Sequence, residues 1–176
     1  MNNNVIVLHK PTHDGVKEDY EPRIAALFLN VVKAGEKEVS LELGEELEGY
    51  LVFTLVRNMR RSDLFSLTIG VELIQATTIY TGKKKEDALN KIGDTSLVLA
   101  GFFPERARSL HVSSNYFCDV GETAFSSLAE SLEHRKCFAL AKLYQRVAEK
   151  FPALTDVLKA ARKDDSCLEA LSLCLV

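Results

Sequence analysis

The segment KIGDTSLVLAGFFPERAR (residues 91–108) has the apolar periodicity of a helix, but two glycines and one aspartate interrupt it. Glycine in a helix interior costs about 1 kcal/mol relative to alanine. Gly93 and Gly101 therefore need an explanation from packing or from a binding site. Together with Leu97 and Ala100 they fall on nearly one face, because residues four and eight apart are helical neighbours. This smooth face predicts the close approach of a second helix.

A similar row of small residues lies on the next long helical pattern, where Gly121 follows Cys118 and precedes Ala124. Small side chains on both partners allow two helix backbones to approach closely. We therefore expect a structural helix crossing built on Gly93, Gly101 and Gly121, with the tightest contact between Gly101 and Gly121.

Helical periodicity covers most of the remaining chain. Val39, Leu41 and Leu43 alternate with polar residues, which favours an extended segment, and Pro104 either kinks a helix or begins a new turn. Residues 1–20 are polar and are predicted to be a mobile or docking segment, in which residues 5–8 form either an isolated strand or simply a docking segment. The pattern predicts helices at residues 21–35, 45–61, 64–79, 86–103, 114–133, 135–150 and 152–161, and a short apolar tail helix at 164–176. The sequence thus predicts one all-α domain over residues 1–176, a bundle of about seven or eight helices.

The composition limits the classes of function. A hydrophobic fraction of 47%, a charged fraction of 27% and a net charge of −3 are ordinary for a globular domain. Residues 1–15 have no secretory signal pattern, and no apolar run approaches the roughly 20 residues of a membrane span. The four cysteines show neither CxxC nor zinc-ligand spacing. We expect a cytoplasmic protein with reduced thiols and without a membrane span.

Net acidity argues against nucleic acid as the main partner, since phosphate binding depends on clustered lysine and arginine. Helix ends and solvated turns explain the short basic runs, in which cations complement the dipole of a helix C-terminus. These runs are Arg57/Arg60/Arg61, Lys83–Lys85 and Arg106/Arg108.

Asp94 lies beside Gly93 at the edge of an apolar helical face, so its carboxylate must reach solvent or find a partner. The simpler interpretation is a structural tie between Asp94 and the Arg106 loop or the start of the helix near Tyr116. The alternative is a ligand-binding cluster of Asp94, Arg106, Tyr116 and Glu122. In that cluster Arg106 would bind a carboxylate or phosphate, and a desolvated Asp94 would act as a base or orient the ligand.

Common catalytic and cofactor signatures are absent from the sequence. It contains no Glu-x-x-His pair, phosphate-binding glycine loop or nucleophile elbow. Glu130 and His134 are spaced i, i+4, but no further ligands accompany them, so we assign no metal site. We likewise assign no catalytic residue and no cofactor.

Several of these residues carry a family resemblance. The stretches are Leu47–Val52, Gly93–Leu97, Ala100–Ala107 and the Tyr116-Phe117 pair followed by Gly121, Ala124 and Phe125. They resemble a family of uncharacterised proteobacterial proteins with the segment GD-x-x-L-x-x-x-G-(L/F)-F-P-E-x-A followed by Y-Y-x-x-x-G-x-x-A-Y. The resemblance covers residues 45–150 and implies a bacterial origin and a shared helical core, with no assigned activity.

The chain departs from that family pattern at two positions. Phe117 and Phe125 stand where tyrosine is common in the family, so both positions lack a hydroxyl. If those hydroxyls take part in a reaction in the relatives, this protein lacks that reaction. If they only pack, the substitutions change nothing.

Three functional hypotheses follow, of which nucleic-acid binding through Arg57/Arg60/Arg61 and Lys83–Lys85 is the least favoured. The first is a non-enzymatic interaction, adaptor or regulatory protein with a protein partner or a second copy of itself. It rests on a helix at 45–61 that is apolar nearly all round, and on an apolar tail that docks either on its own core or in another chain. The second is a binder of small molecules or anions, or an enzyme, that uses the cluster around Asp94, Arg106 and Tyr116. The sequence favours the first.

Overall fold

Eight helices follow one another in the part of the chain that the structure, a computed structural model, describes. That part comprises residues 15–59, 61, 64, 68–113, 115–163 and 167. The helices are α1 (Gly15–Val39), α2 (Glu45–Met59), α3 (Ile69–Thr78), α4 (Gly82–Phe102), α5 (Glu105–Ser109), α6 (Tyr116–His134), α7 (Phe138–Glu149) and α8 (Phe151–Ala161). No strand occurs within these ranges, so the all-α prediction is confirmed.

α4 is the central helix, and it packs against α2, α3, α6 and α8. From Ile92 to Phe102 every residue of α4 is buried, including the polar residues Asp94, Thr95 and Ser96. A helix buried on all sides belongs to the interior of a bundle. The other main contacts join α1 to α8 and α6 to α7. The largest fully buried side chains in the shared core include Phe28, Phe117, Phe125 and Phe151.

α1 differs from its prediction at both ends. It begins at Gly15 and therefore contains Pro22, and it continues through Gly35 to Val39. Gly35 was expected to end the helix, but a Cβ there would lie under 3.0 Å from the carbonyl oxygen of Val157 in α8. Glycine at this position allows α1 and α8 to approach closely. The extended segment predicted from Val39 is wrong, because Val39 ends α1.

The turn after α1 depends on Ser40 and Glu36. Ser40 has a positive φ of 52°, which ends the helix in the left-handed region. The backbone N–H of Leu43 then donates to Glu36 Oε1 at 2.7 Å. The alternating apolar residues therefore belong to a connection between two helices.

The predicted helix at 45–61 corresponds to α2, which ends at Met59. Its apolar residues are not buried on every side, since the side chain of Phe53 is 64% exposed. Phe138 and Leu140 belong to the apolar pattern of the helix predicted at 135–150, and both are exposed on α7. Pro104 begins a new turn, because α4 ends at Phe102 and α5 starts at Glu105.

Some predictions concern residues outside the described ranges. These are the segment at 5–8, Arg60, and the tail at 164–176 apart from Cys167. The Cys167 side chain is buried and belongs to the core.

Candidate functional site

Asp94 lies in the middle of α4, and its carboxylate is bound by side chains of α2. Its Oδ1 accepts hydrogen bonds from the hydroxyls of Tyr50 at 2.6 Å and Thr54 at 3.4 Å. Its Oδ2 lies 2.8 Å from Nη2 of Arg57. The three donors share one face of α2 because they are spaced four and three residues apart. Asp94 therefore ties α2 to α4.

Burial raises the pKa values of both Asp94 and Tyr50. Desolvation raises the pKa of Asp94 above its ordinary value, while the charge of Arg57 and the hydrogen bond from Tyr50 oppose that rise. Desolvation also raises the pKa of Tyr50 well above its ordinary value, and the adjacent Asp94 carboxylate adds to the effect. Tyr50 is therefore protonated near neutral pH and acts as a hydrogen-bond donor.

Arg61 extends the polar network along the same helices. Its Nη1 donates to Asn58 Oδ1 at 2.7 Å and to Thr95 Oγ1 at 2.9 Å, and Asn58 donates to the carbonyl oxygen of Thr54 at 2.9 Å. The sequence contained a signal for this network, because Thr54 and Asn58 are polar residues within an otherwise apolar stripe. Their partners on α4 depend on tertiary packing, which the periodicity of one helix does not report.

The structure does not bring the predicted cluster together. Asp94 faces α2, whereas Arg106 and Tyr116 line a cavity beside the C-terminal part of α4. The expectation that Asp94 pairs with the Arg106 loop or with the start of α6 is therefore wrong. Glu122 lies farther along α6, where partial burial and the nearby Asp119 raise its pKa.

Arg106 and Tyr116 border a groove between α3, the end of α4, α5 and the start of α6. The groove encloses about 380 Å³. We call it the α3–α6 groove, and its lining is Leu64, Thr68, Ile69, Gly70, Val71, Ile74, Leu99, Arg106, Leu110, Val112, Tyr116 and Phe117. Leu64, Ile69, Leu99 and Phe117 are buried.

The rim of the groove exposes apolar side chains to solvent. Val71 is 53% exposed, Ile74 is 63% exposed and Leu110 is 43% exposed. Arg106 is the one formally charged side chain among the described lining residues. Exposed apolar groups clustered around a concavity are typical of binding surfaces, whereas single exposed leucines are not. The groove therefore suits an apolar group that carries a negative charge.

Gly70 has no side chain, and this leaves room for the Tyr116 hydroxyl at the groove. A Cβ on Gly70 would lie 2.5 Å from the Tyr116 hydroxyl oxygen. The Tyr116 ring also packs edge-on against Phe117, with ring centroids 5.4 Å apart. The phenol is therefore positioned by α3 and by its own helix, and its hydroxyl adds a hydrogen-bonding group to the groove.

The glycines do allow helices to approach closely, as predicted. The predicted contact between Gly101 and Gly121 is wrong. A Cβ on Gly93 would lie 2.5 Å from the Phe125 ring, so α4 and α6 do approach closely there. Gly101 and Gly121 do not face each other. Both face α8, where an added Cβ would lie under 3.0 Å from Leu158 and Phe151, respectively. The small residues therefore make room for a third helix.

The two departures from the family pattern lie in the core. Phe117 and Phe125 are both buried. The Phe125 ring packs against Tyr50, Tyr144 and Phe151 at centroid distances of 5.8–6.1 Å. At these positions the aromatic ring has a packing role in this chain.

Two features are absent from the described residues. No group of three or more histidine, cysteine, aspartate or glutamate residues is placed to hold a metal ion. No described helix combines the length and apolarity needed to cross a bilayer. His134, which is spaced i, i+4 from Glu130, has Nδ1 2.7 Å from the Glu130 carbonyl oxygen.

Comparison with protein-family models, with curated proteins and with solved structures finds no match for this chain.

Proposed function

We propose that this chain is a non-enzymatic interaction protein and that its α3–α6 groove binds an amphipathic helix of a protein partner. The observation that carries the proposal is the cluster of Val71, Ile74 and Leu110, which are exposed around one concave, mainly apolar surface. Binding would remove these side chains from water, which stabilises a complex by about 25 cal/mol per Å² of apolar surface.

The shape of the groove favours a helix as the ligand. Val71 and Ile74 lie one turn apart on α3, and Leu110 follows α5 on the opposite rim. Amphipathic helices bind such grooves by inserting apolar side chains spaced three, four and seven residues apart. The concavity of about 380 Å³ receives the central anchors, and the exposed rim contacts the flanking ones.

The positive charge of Arg106 at the groove indicates that the partner helix carries an acidic residue. Arg106 of α5 borders the groove, and its Nη1 lies 3.2 Å from Ser109 Oγ. An arginine at an apolar rim binds a carboxylate through a planar set of donors. The partner helix is therefore expected to carry an aspartate or glutamate beside its apolar anchors.

The test is selection from a phage-displayed library of amphipathic helical peptides, followed by affinity measurements. Ile74→Asp is expected to weaken the selected peptides at least about tenfold, as loss of a central anchor does. Ile79→Asp is the matched control, because Ile79 is also exposed and directly follows the same helix but does not line the groove.

A second matched pair tests the charge. Arg106→Glu is expected to weaken binding, whereas Arg108→Glu changes an exposed α5 residue outside the groove and should have little effect. Equal effects of the paired variants would contradict the proposal.

Two other results would assign the groove to a different occupant. A concentration-dependent dimer that Ile74→Asp abolishes would assign the groove to a second copy of the chain. Tighter peptide binding after deletion of residues 168–176 would assign it to the chain's own tail.

A second candidate is a small apolar carboxylate in the same groove. It is favoured because Arg106 and Tyr116 border one cavity, and its volume lies within the 300–1,000 Å³ of typical small-molecule pockets. Decanoate is the probe. Saturable decanoate binding that Arg106→Gln removes, without selection of any groove-specific peptide, would favour this function. Asp94 has no part in it, and the bacterial origin and cytoplasmic setting stay predictions.

A further inference from the structure

α7 exposes a large apolar side chain beside a second concave surface. Phe138 is the first residue of the helix, and its side chain is 62% exposed. The concave surface lies between α6 and α7 and encloses about 300 Å³. We call it the α6–α7 hollow. Among the described residues, it has no lining residue in common with the α3–α6 groove, so the two surfaces are separate.

Small side chains form the floor of the hollow. Ala129 of α6 and Ala141 of α7 line it, and both are buried where the two helices pack together. Two methyl groups fill little of the space between neighbouring helices, which leaves a concavity at the surface. Phe138 stands beside this floor on α7. The same patch therefore contains an exposed aromatic ring and a space that can receive one.

Charges of both signs line the hollow. Glu130 and Glu133 lie one turn apart on α6, Lys142 lies on α7, and all three residues are exposed. Within the part of the chain that the structure describes, none of these three side chains forms an ion pair or a hydrogen bond. The two carboxylates and the ammonium group are therefore free to pair with charges on another molecule.

These features make the surface complementary to itself. In an interface with two-fold symmetry the same patch occurs on both subunits, and each contact between two different residues occurs twice. The hollow meets this requirement, because it supplies a ring and a space for a ring, and a cation together with carboxylates. A second copy of the chain thus provides every group that the patch needs.

We infer that two copies of this chain associate through their α6–α7 hollows. Phe138 of each copy covers the Ala129–Ala141 floor of the other copy. Lys142 of each copy pairs with Glu130 or Glu133 of the other. Because such a two-fold interface closes on itself, association stops at the dimer.

The size of the patch sets the strength of this association. A phenylalanine side chain buries about 150–250 Å² when it is fully covered, so two rings supply about 300–500 Å² at most. Even with flanking contacts the interface stays below the roughly 1,200 Å² that separates weak complexes from stable ones. We therefore expect a transient dimer with a dissociation constant of about 10–500 μM.

The test is sedimentation equilibrium of the full chain. Concentrations from about 5 μM to about 1 mM cover the expected range of dissociation constants. The weight-average mass should rise from that of one chain towards that of two, and the data should fit a monomer–dimer equilibrium.

Two substitutions on α7 test the role of the exposed ring. Phe138→Asp places a charge at the centre of the interface and is expected to weaken the dimer at least about tenfold. Leu140→Asp is the matched control, because Leu140 is 50% exposed on the same helix but does not line the hollow. The control should leave the dissociation constant unchanged. Circular dichroism checks that each variant keeps its helical signal.

A charge exchange tests the ion pairs between copies. Lys142→Glu brings a third carboxylate against Glu130 and Glu133 and is expected to weaken the dimer at least about fivefold. Adding Glu133→Lys to Lys142→Glu restores opposite charges and should recover at least about half of that loss. Lys150→Glu is the control, since Lys150 is exposed at the end of α7 and lies outside the hollow.

Four results would overturn the inference. They are a monomer at every concentration, assembly that continues beyond the dimer, an equal loss with Leu140→Asp, and a dimer that Ile74→Asp abolishes but Phe138→Asp does not. The last result would assign the dimer to the α3–α6 groove. If Phe138→Asp loses its helical signal, the comparison of Lys142→Glu with Lys150→Glu decides, and equal effects of these two variants would contradict the inference.

Discussion

Replacing Gly35 with alanine tests the close approach of α1 and α8. The added methyl would lie under 3.0 Å from the Val157 carbonyl oxygen and from the Ala161 Cβ. A flexible side chain moves aside easily, but here one of the atoms in the way belongs to the backbone of a packed helix. Overpacking of this kind costs about 1–3 kcal/mol, and the backbone contact places Gly35 at the upper end of that range.

Helix propensity acts in the opposite direction, because alanine gains about 1 kcal/mol over glycine inside a helix. The net expectation for Gly35→Ala is a loss of about 2 kcal/mol in the free energy of unfolding. Gly49→Ala in α2 is the matched control, since no atom lies within 4 Å of its added Cβ. The control should therefore gain about 1 kcal/mol.

The assay is urea unfolding of both variants and of the unchanged protein, followed by circular dichroism. The two variants should differ by about 3 kcal/mol, and their melting temperatures should separate by roughly 6–12 °C for a chain of this length. If Gly35→Ala proves as stable as Gly49→Ala, the close α1–α8 packing is refuted.

Three further predictions concern the core and the buried carboxylate. Gly121→Ala places a methyl against the Phe151 ring and should lower the free energy of unfolding by about 1–2 kcal/mol in the same urea assay; unchanged stability would contradict the close α6–α8 contact. Tyr50→Phe removes the 2.6 Å hydrogen bond to Asp94 and should cost about 1.5–3 kcal/mol. Tyr80→Phe removes a hydroxyl that lies 3.3 Å from Gln75 Oε1 and should cost less. An equal cost would contradict the claim that the hydrogen bond to the Asp94 carboxylate is the stronger one. Because the pKa of Asp94 is raised in the folded state, its stabilising contribution is fully present below the ordinary value of 3.8 and is lost as pH rises through the folded pKa. As pH rises from 3.8 through the raised pKa of folded Asp94, the stability of the unchanged protein relative to Asp94→Asn should therefore fall. A rise in relative stability over this pH range would refute the direction of the pKa shift.

Local signals predicted most helix positions. α4 and α8 were predicted from apolar periodicity, and Pro104 was expected to kink a helix or begin a new turn, because these features act within one or two turns of the chain. α1 shows where local rules fail. Gly35 is a typical stop signal, but its contact with α8 is a tertiary property that overrides helix propensity, and Pro22 lies inside the helix instead of at its start.

Burial was less predictable than helicity. Phe53 and Phe138 continue apolar patterns, but whether such a residue is covered depends on which helix packs beside it, and both are exposed. Apolar periodicity does not distinguish a core face from a binding face. Val71 and Ile74 fit the same helical pattern as core residues, yet they border the α3–α6 groove.

The candidate site was predicted only in part. Arg106 and Tyr116 do border one cavity, because the short α5 returns the chain toward the start of α6. Asp94 was misplaced because its partners Tyr50 and Arg57 lie 44 and 37 residues away in sequence. Contacts at such separations come from the packing of α2 on α4, which the spacing of residues in the sequence does not predict.

The most direct test of the central claim, that the groove binds an apolar helix carrying a carboxylate, is a charge-reversal cycle. The affinities of the unchanged protein and of Arg106→Glu are measured by titration calorimetry with the tightest selected peptide and with its acidic residue replaced by arginine. We predict that each single reversal weakens binding and that the double reversal restores it, with a coupling free energy of about 0.5–1.5 kcal/mol for a partly exposed pair. A coupling of zero, or a selected peptide without an acidic residue, would contradict the proposal.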